Sequence, residues 1–258
     1  MKIFVTDKYR VITFLSICAL VLVTALGTHN TAPVSAPQKR LVPIYSVENS
    51  DNYISITFDC AWDAEDIDKI ISVLKENKCQ ATFFVLGTWA QNNPEAIKKL
   101  DSAGHEIGNH SFNHTLYTTL SKQQILEDIK KCDDAVKVII NKTPLLFRAP
   151  SGDYNNTVVE ASEEAGKKYI QWSVDSLDWK ELTQEQMLER IVPKTKSGDI
   201  LLFHNGTPHT AESLDAILKE LKEKGFKFKK TSELIYKENY TIDNEGRQHK
   251  NTQDGSKE

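Results

Sequence analysis

Cysteine is scarce in this chain and shows no pairing pattern. Four cysteines occur in 258 residues. Cys18 lies inside an apolar N-terminal run, which leaves Cys60, Cys79 and Cys132, an odd number without close spacing. This pattern excludes a disulfide framework, and we expect the three to be small buried apolar side chains. The body must therefore be stabilised by its hydrophobic core, for which a hydrophobic content of 40% is sufficient.

The chain also lacks an excess of basic residues and has no internal sequence repeat. Its formal net charge is −4 at pH 7. Since Lys2, Lys8 and Arg10 outweigh Asp7, the first 27 residues carry +2 and the remainder carries −6. An acidic body argues against a nucleic-acid partner, because such a partner requires a basic face.

One long apolar run is present, at the N-terminus. Residues 11–27 are uncharged and follow Lys8 and Arg10. A basic start, an apolar run and small residues after it are typical of a secretory signal, and these 17 residues are also close to the shortest length that spans a bilayer. We predict that residues 1–27 are a signal peptide or a membrane anchor and that the body is exported, either free outside the cell or held at the outer face of its membrane. Residues 28–45 contain three prolines among small or polar residues and are predicted to be a linker.

Strands and helices are predicted to alternate along the body. The predicted strands occupy residues 53–58, 80–87, 105–109, 145–148, 168–174, 199–204 and 226–229. The predicted helices cover residues 66–77, a segment that opens at Pro94, and residues 121–140, 155–165, 183–192 and 210–223. This alternation indicates an α/β fold in which helices wrap a parallel sheet, and seven repeats favour a closed or nearly closed barrel. We assign residues 46–237 to one domain and expect residues 238–258 to be a disordered polar tail.

Two histidines four residues apart, His110 and His114, form the most informative motif. This spacing puts two imidazoles on one side of a helical turn, where both can bind one divalent cation. Other polar side chains follow the ends of predicted strands, where barrels of this class carry their chemistry: Asp59, Arg148, Asp178 and His204. Together these residues supply what hydrolysis needs, namely a metal site, a base and an acid.

In chain order, these segments resemble the five motifs of the NodB-type polysaccharide deacetylases, carbohydrate esterase family four. The resemblance covers roughly residues 50–236, and the first motif, Phe58-Asp59-x-x-Trp62, is similar to that of a sporulation-associated branch that deacetylates peptidoglycan. It implies a distorted (β/α)7 barrel of the NodB type. It also implies a metal-dependent hydrolase that removes N-acetyl groups from a cell-envelope polysaccharide, either peptidoglycan or chitin-like oligomers. The expected partners are this N-acetylated glycan and, if the N-terminal segment is not cleaved, the membrane; we expect a monomer.

The resemblance implies a role for each of six matched side chains. They are the catalytic base Asp59, the arginine that holds it, Arg148, the catalytic acid His204, the aspartate that tunes it, Asp178, and the metal ligands His110 and His114. An arginine beside the base keeps its carboxylate ionised, and an aspartate beside the acid favours imidazolium, the form that donates a proton.

Three further residues are predicted to contact the substrate. The resemblance implies that Trp179 helps to wall the acetyl pocket. Ser151 stands where the family has a tyrosine, so the ring contact of that tyrosine is lost, although its backbone N–H remains able to stabilise an oxyanion. Tyr154, three residues on, would replace part of the pocket wall.

The third metal ligand departs from the family pattern. The family's first motif has a second aspartate that binds the metal, and Cys60 occupies this position here. Asp63, Glu65 and Asp66 lie in the following loop. We predict Asp63 as the third ligand, with a Cys60 thiolate or a water as alternatives. Nitrogen-rich ligation favours zinc, with cobalt, nickel and manganese as alternatives.

Two other functions remain open. The missing second aspartate is compatible with a pseudo-enzyme that binds a glycan without cleaving it, and the motifs also permit an O-acetyl esterase. Each motif taken alone has a structural explanation: Asp59 as a helix cap, His204 as a core histidine, and Arg148 with Asp178 as an ion pair. Their joint occurrence in the expected order is what favours the deacetylase.

Overall fold

The computed structural model describes residues 39–49 and 51–251. The signal peptide or anchor predicted for residues 1–27 lies outside this part of the chain. Among the residues described, we find no helix with the length and apolar character that a membrane span requires. From Arg40 onward the described residues belong to one compact unit.

Parallel strands form one curled sheet, a half-barrel, which confirms the α/β fold with a parallel sheet that the sequence predicts. The strands of the described residues are β1 (Ser46–Val47), β2 (Tyr53–Cys60), β3 (Thr82–Val85), β4 (Glu106–Asn109), β5 (Leu146–Phe147), β6 (Lys168–Tyr169), β7 (Val174–Asp175), β8 (Ile200–His204), β9 (Lys227–Phe228), β10 (Tyr240–Ile242) and β11 (Arg247–Lys250). Seven of them lie in the order β6-β5-β4-β3-β2-β8-β7, and β9 pairs with the beginning of β2. Strand β2 is therefore central, and Asp59, near its end, lies in register between Phe84 of β3 and His204 of β8.

Helices pack around this sheet with boundaries close to those predicted, except that the two short helices Gly87–Asn92 and Thr231–Leu234 were not predicted. They are α1 (Ile67–Glu76), α2 (Gly87–Asn92), α3 (Pro94–Ser102), α4 (Lys122–Ile140), α5 (Asn156–Glu164), α6 (Gln184–Ile191), α7 (Thr210–Glu223) and α8 (Thr231–Leu234). Helix α4 begins where Ser121 and Gln124 form a capping box, in which each side chain bonds the other residue's backbone N–H. It ends at Asn141, which adopts the left-handed conformation that closes many helices.

The strand predicted over residues 168–174 is wrong, because two separate strands occupy this stretch. Strand β6 pairs with β5 and β7 pairs with β8, so they lie at opposite ends of the sheet path. Between them, Ile170 donates its N–H to the Phe147 carbonyl at 2.8 Å and Ser173 donates to the Ile200 carbonyl at 3.0 Å. The chain changes partner within four residues, which an apolar pattern does not reveal. The barrel is consequently open between β6 and β7.

The disordered tail predicted from residue 238 is wrong over the strands β10 and β11. Strand β11 pairs in parallel with β1 and antiparallel with β10. Gln248 is fully buried and exchanges two hydrogen bonds with the backbone of Tyr236, at 2.9 and 3.1 Å. The linker prediction is also wrong at its end, because Ile44 is buried and donates its N–H to the Tyr169 carbonyl at 2.9 Å. Polar residues are ordered here because backbone pairing satisfies them.

The main core lies between the sheet and its helices. Phe58 of β2 stacks on Phe83 of β3 with ring centroids 4.8 Å apart, and Phe203 of β8 lies against its other side at 5.7 Å. The three body cysteines are buried and reduced, as predicted: Cys60, Cys79 and Cys132. The core therefore holds the central strands rigidly and fixes the positions of the side chains that follow them.

Candidate active site

A cavity of about 640 Å³ opens at the carboxyl ends of the parallel strands. It is lined by side chains that the sequence analysis singled out: Asp59, His110, His114, Ser151, Trp179 and His204. Arg148 and Asp178 lie behind two of them and are fully buried. Groups that are spread over nearly 150 positions therefore meet in one pocket, because all of them follow strands of one parallel sheet.

Asp59 is held by Arg148. The Nη1 atom of Arg148 donates to Asp59 Oδ1 at 2.7 Å and to Thr57 Oγ1 at 3.0 Å, and Nη2 donates to the Gln171 carbonyl at 3.0 Å. The guanidinium carbon also lies 4.1 Å from the ring centroid of Phe84. Burial on its own raises the pKa of the Asp59 carboxyl, but the neighbouring His110 and the Arg148 guanidinium outweigh burial and hold this pKa below its ordinary value. The site thus contains a carboxylate ready to accept a proton.

His204 is held by Asp178. The Nδ1 atom of His204 lies 2.7 Å from Asp178 Oδ1, and the carboxylate is almost completely buried. Burial on its own lowers the pKa of His204, but the hydrogen bond and charge of Asp178, with smaller contributions from Asp59 and Asp175, raise the pKa above its ordinary value. The imidazolium form is favoured, so this side of the pocket contains a proton donor.

His110 and His114 lie side by side, although not on a helical turn as the spacing predicted. They lie in the loop after β4, with imidazole centroids 5.3 Å apart and ring planes at 67°. Ser111 and His114 both adopt positive φ angles, of 76° and 66°. The two rings lie together for a different reason than the spacing predicted, because a loop with two left-handed residues turns back on itself.

The histidine loop is clamped from both sides. From α2, Gly87 donates its N–H to the Ser111 carbonyl at 3.0 Å, and from α4, Asp128 accepts the N–H of Phe112 at 2.8 Å. A Cβ atom at Gly87 would lie 2.4 Å from the Phe112 ring, so only glycine permits this approach. Within the loop, His114 donates its N–H to Ser111 Oγ at 3.0 Å. These contacts fix a strained conformation that the loop would not adopt alone.

The two imidazoles suit a divalent cation that prefers nitrogen ligands. Burial lowers the pKa of His110 to about 4 and also lowers that of His114, so both rings are neutral at pH 7. The Nδ1 atom of His110 lies 2.9 Å from the Arg148 carbonyl oxygen. A carbonyl oxygen only accepts hydrogen bonds, so Nδ1 must carry the proton and donate it to this bond. The Nε2 lone pair of His110 is therefore free to bind a metal, which is how ligating histidines are usually oriented.

No third protein ligand joins them from the predicted positions. Asp63 is exposed, lies outside the cavity lining and accepts the N–H of Glu65 on Oδ1 at 3.1 Å. The Cys60 side chain is fully buried in the main core. The nearest carboxylate to the pair is Asp59, whose Oδ2 lies 3.5 Å from His110 Nε2. In the described part of the chain, no group of three or more His, Cys, Asp or Glu side chains is arranged to hold a metal ion.

The predicted substrate residues are placed differently from one another. Trp179 is half exposed at the cavity, and Ser151 lines it in a left-handed conformation with φ 56°. Tyr154 does not line it: its hydroxyl accepts a hydrogen bond from Arg40 at 2.8 Å, and its ring packs edge-on against Tyr169. Tyr154 thus supports a neighbouring core cluster and does not replace the pocket wall.

Six lining residues were not predicted as parts of the site, and three of them carry aromatic or charged side chains. Trp62 is 48% exposed and contacts His204 edge-to-face at 5.3 Å. Trp172 lines the cavity from the segment that joins β6 to β7, and Asp175 lines it from the end of β7. The expected continuous strand at 168–174 concealed Trp172. The exposure of a tryptophan among polar residues is the signal that could have identified Trp62.

The arrangement is suited to the hydrolysis of an acyl group from its substrate. It has an ionised carboxylate on one side, an imidazole whose protonated form is favoured on the other, and two neutral imidazoles beside the carboxylate. Aromatic rings at the mouth provide the flat apolar surface on which sugar rings pack.

Comparison with known proteins identifies similar chains. Residues 46–170 match the family model "Polysaccharide deacetylase". A peptidoglycan-N-acetylglucosamine deacetylase of Bacillus cereus is 36% identical over 196 residues, which cover 74% of this chain and 92% of that protein. The protein YlxY of Bacillus subtilis is 32% identical over 75% of this chain, which spans 60% of the length of YlxY.

A solved structure adds a second kind of relative. BA3943 of Bacillus anthracis, described as a pseudoenzyme of carbohydrate esterase family four, is 33% identical with a TM-score of 0.72, over 74% of this chain and 68% of that one. A mutant of BA3943, also with a TM-score of 0.72, is described as having restored enzymatic activity. Relatives of similar distance thus include both an enzyme and a pseudoenzyme.

Proposed function

This chain belongs to the polysaccharide deacetylase family, and we propose that it is a metal-dependent hydrolase that removes N-acetyl groups from peptidoglycan. The observation that carries the proposal is the pairing of opposite functions across one cavity, with Asp59 held by Arg148 and His204 held by Asp178. The name of the Bacillus cereus relative supports peptidoglycan as the polymer.

In the proposed reaction, Asp59 accepts a proton from a water that attacks the acetamide carbon. His204 then donates a proton to the nitrogen of the departing amino sugar, and the carbon–nitrogen bond breaks. The products are acetate and a free amine, so the water is fully accounted for. When bound at His110 and His114, a divalent cation, for which we favour zinc, supplies Lewis acidity toward the acyl oxygen and the water. Arg148 keeps the base ionised, and Trp179 limits the volume left for the acyl group.

We also propose that the protein acts outside the cytoplasm, on the cell wall. This proposal rests on the basic and apolar pattern of residues 1–27. Cobalt, nickel and manganese remain candidate cations, and Asp63 remains the candidate third ligand only if its loop rearranges when the metal binds.

Acetate release tests the proposal. The purified full-length chain should release acetate from N-acetylated peptidoglycan when zinc is added, and Asp59→Asn should abolish release because an amide cannot accept the proton. The variant is isosteric but leaves the buried Arg148 without its charged partner, so some loss of melting temperature is expected, and a cooperative melting transition checks that the fold is retained. Release from acetylxylan without release from N-acetylated glycans would instead identify an O-acetyl esterase.

A second candidate function is a glycan-binding pseudoenzyme, which one specific observation favours. The third metal donor is missing at both expected positions, since Cys60 is buried in the core and Asp63 bonds within its own loop. The BA3943 relative supports this alternative. Binding of N-acetylated glycan without acetate release, across zinc, cobalt, nickel and manganese, would establish it.

A further inference from the structure

The Asp178 carboxylate makes an unusually complete set of hydrogen bonds. It is 1% exposed. Its Oδ1 accepts from His204 Nδ1 at 2.7 Å and from the Trp179 N–H at 2.9 Å. Its Oδ2 accepts from the His204 N–H at 2.7 Å and from the Thr210 hydroxyl at 2.6 Å. All four acceptor positions of the carboxylate are thus filled, and only two of the donors are side chains.

The direction of the hydroxyl bonds is fixed by chemistry. An ionised carboxylate only accepts, so the single hydroxyl proton of Thr210 must point at Asp178. Thr207 Oγ1 lies 2.5 Å from Thr210 Oγ1, and because the Thr210 proton is already used, Thr207 must donate to Thr210. Thr210, the first residue of α7, is 1% exposed, whereas Thr207 is partly exposed. A one-way chain of hydroxyls therefore runs from the loop after β8 to the buried carboxylate.

This loop also reaches the mouth of the cavity. Gly206 approaches the Trp62 side chain so closely that a Cβ atom there would lie 2.8 Å from Trp62 Cβ, and Trp62 contacts the His204 ring. The loop is thus linked to His204 in two ways, from Gly206 through the Trp62 ring and from Thr207 through Thr210 and Asp178. No other side-chain hydroxyl of the described residues donates to Asp178.

We propose that Thr210 is a positioning residue for the proton donor of the site: its hydroxyl, oriented by Thr207, shares the negative charge of the Asp178 carboxylate that holds His204. The identity of His204 as proton donor rests on the proposed function, whereas the hydroxyl chain itself does not. Removing the hydroxyl leaves Oδ2 with one donor in a buried place. The Thr210 hydroxyl stabilises the Asp178 charge most when His204 is neutral, because an imidazolium already compensates that charge. Loss of the hydroxyl therefore destabilises the state with neutral His204 more, and the protonated form of His204 is favoured.

The titratable groups around His204 are the same in every variant of the test. Four titratable groups face it: Asp178, Asp59 of β2, Asp175 of β7 and His114 of the loop after β4. The variants Thr210→Val and Thr210→Ser leave all of these in place. Valine keeps the shape of threonine without the hydroxyl, and serine keeps the hydroxyl without the methyl.

The experiment measures the titration of the His204 ring by nitrogen-15 NMR on the full-length chain, with His204→Gln used for assignment. Thr210→Val should move the titration midpoint to higher pH and lower kcat for acetate release about tenfold, the effect of one hydrogen bond to a charged group. Thr210→Ser should restore both the midpoint and kcat. Thr207→Val, in a partly exposed loop, should move the midpoint in the same direction by less.

An unchanged midpoint in both Thr210→Val and Thr207→Val would overturn the proposal. So would a Thr210→Ser variant that behaves like Thr210→Val, because the methyl group would then be responsible. If the parent chain releases no acetate, the proposed function fails, but the NMR titration still decides the role of Thr210. If Thr210→Val does not fold, Thr207→Val decides it.

Discussion

The Nδ1 atom of His110 lies 2.9 Å from the carbonyl oxygen of Arg148, whose guanidinium holds Asp59 at 2.7 Å. One residue therefore orients a candidate metal ligand with its backbone and the candidate base with its side chain. This double role links the two halves of the pocket. A substitution at position 148 removes the side-chain contact to Asp59 but leaves the backbone contact to His110 in place.

Loss of the Arg148 side chain should affect Asp59 far more than His110. Arg148→Met leaves a buried carboxylate without its partner and should lower the free energy of unfolding by about 3–5 kcal/mol. The double variant Arg148→Met/Asp59→Asn removes the stranded charge and should recover much of this loss. Urea denaturation at pH 7 measures both. A double variant no more stable than Arg148→Met would show that packing against Phe84, and not charge, is lost.

Metal binding should depend on both imidazoles. His110→Ala and His114→Ala should each weaken zinc affinity by more than the roughly 10–100-fold that loss of a residue supporting a ligand costs. Isothermal titration after chelator treatment measures the affinity. His249→Ala is the matched control, because His249 pairs with Glu48 and Asp243 on the small C-terminal sheet and should leave affinity unchanged. Equal affinities in all four proteins would exclude a metal at the histidine pair.

A carboxylate at position 60 should strengthen the metal site. Cys60→Asp restores the residue that the family has there, and we expect higher zinc affinity and faster acetate release than in the parent chain. Without metal, the same change places a charge where Cys60 is fully buried, and thermal stability should fall. Cys60→Ser, which adds no charge, is the control. Added zinc should restore the thermal stability of Cys60→Asp and should not change that of Cys60→Ser. If zinc does not restore the stability of Cys60→Asp, the side chain at position 60 faces only the core.

The stability of the fold should decline in mild acid because of His105. This buried side chain accepts the Ala81 N–H on Nδ1 at 3.2 Å, and burial, aided by the charge of Lys230, lowers its pKa to about 4. The folded state favours the neutral form of His105. The contribution of this preference to the free energy of unfolding is complete above about pH 6.5 and is lost as the pH falls toward 4.

The His105 contribution should be about 2 kcal/mol between pH 7.5 and pH 5. Urea denaturation at both values should show a smaller loss in His105→Gln than in the parent chain. His209→Gln, an exposed histidine, should keep the full loss. An equal loss in all three proteins would assign the acid sensitivity to other groups, of which His110 has the same sign and His204 the opposite sign.

Much of the candidate site was predictable because it depends on strand ends. Asp59, Arg148 and His204 follow or end apolar runs, and parallel strands bring such ends to one edge of the sheet. Asp178 was equally accessible from its position after a predicted strand. The family resemblance then supplied the pairing of base with arginine and of acid with aspartate.

What could not be predicted is where side chains point once the chain leaves a strand. Asp63 is four residues after Asp59, yet its carboxylate bonds within its own loop. Tyr154 is three residues after Ser151, yet its ring belongs to another cluster. The ordered hairpin of β10 and β11 was missed because its residues are polar, and its order comes from backbone pairing with a strand nearly two hundred residues away.

That hairpin has a mechanical consequence. Strand β1 follows the first described residues and pairs with β11, which is joined through Gln248 to Tyr236. A pulling force that enters the chain ahead of β1 would be carried by the pairing of β1 with β11 and passed to the segment around Tyr236 before it reached β2. The strand that bears Asp59 is thereby shielded from tension that is applied to the chain ahead of β1.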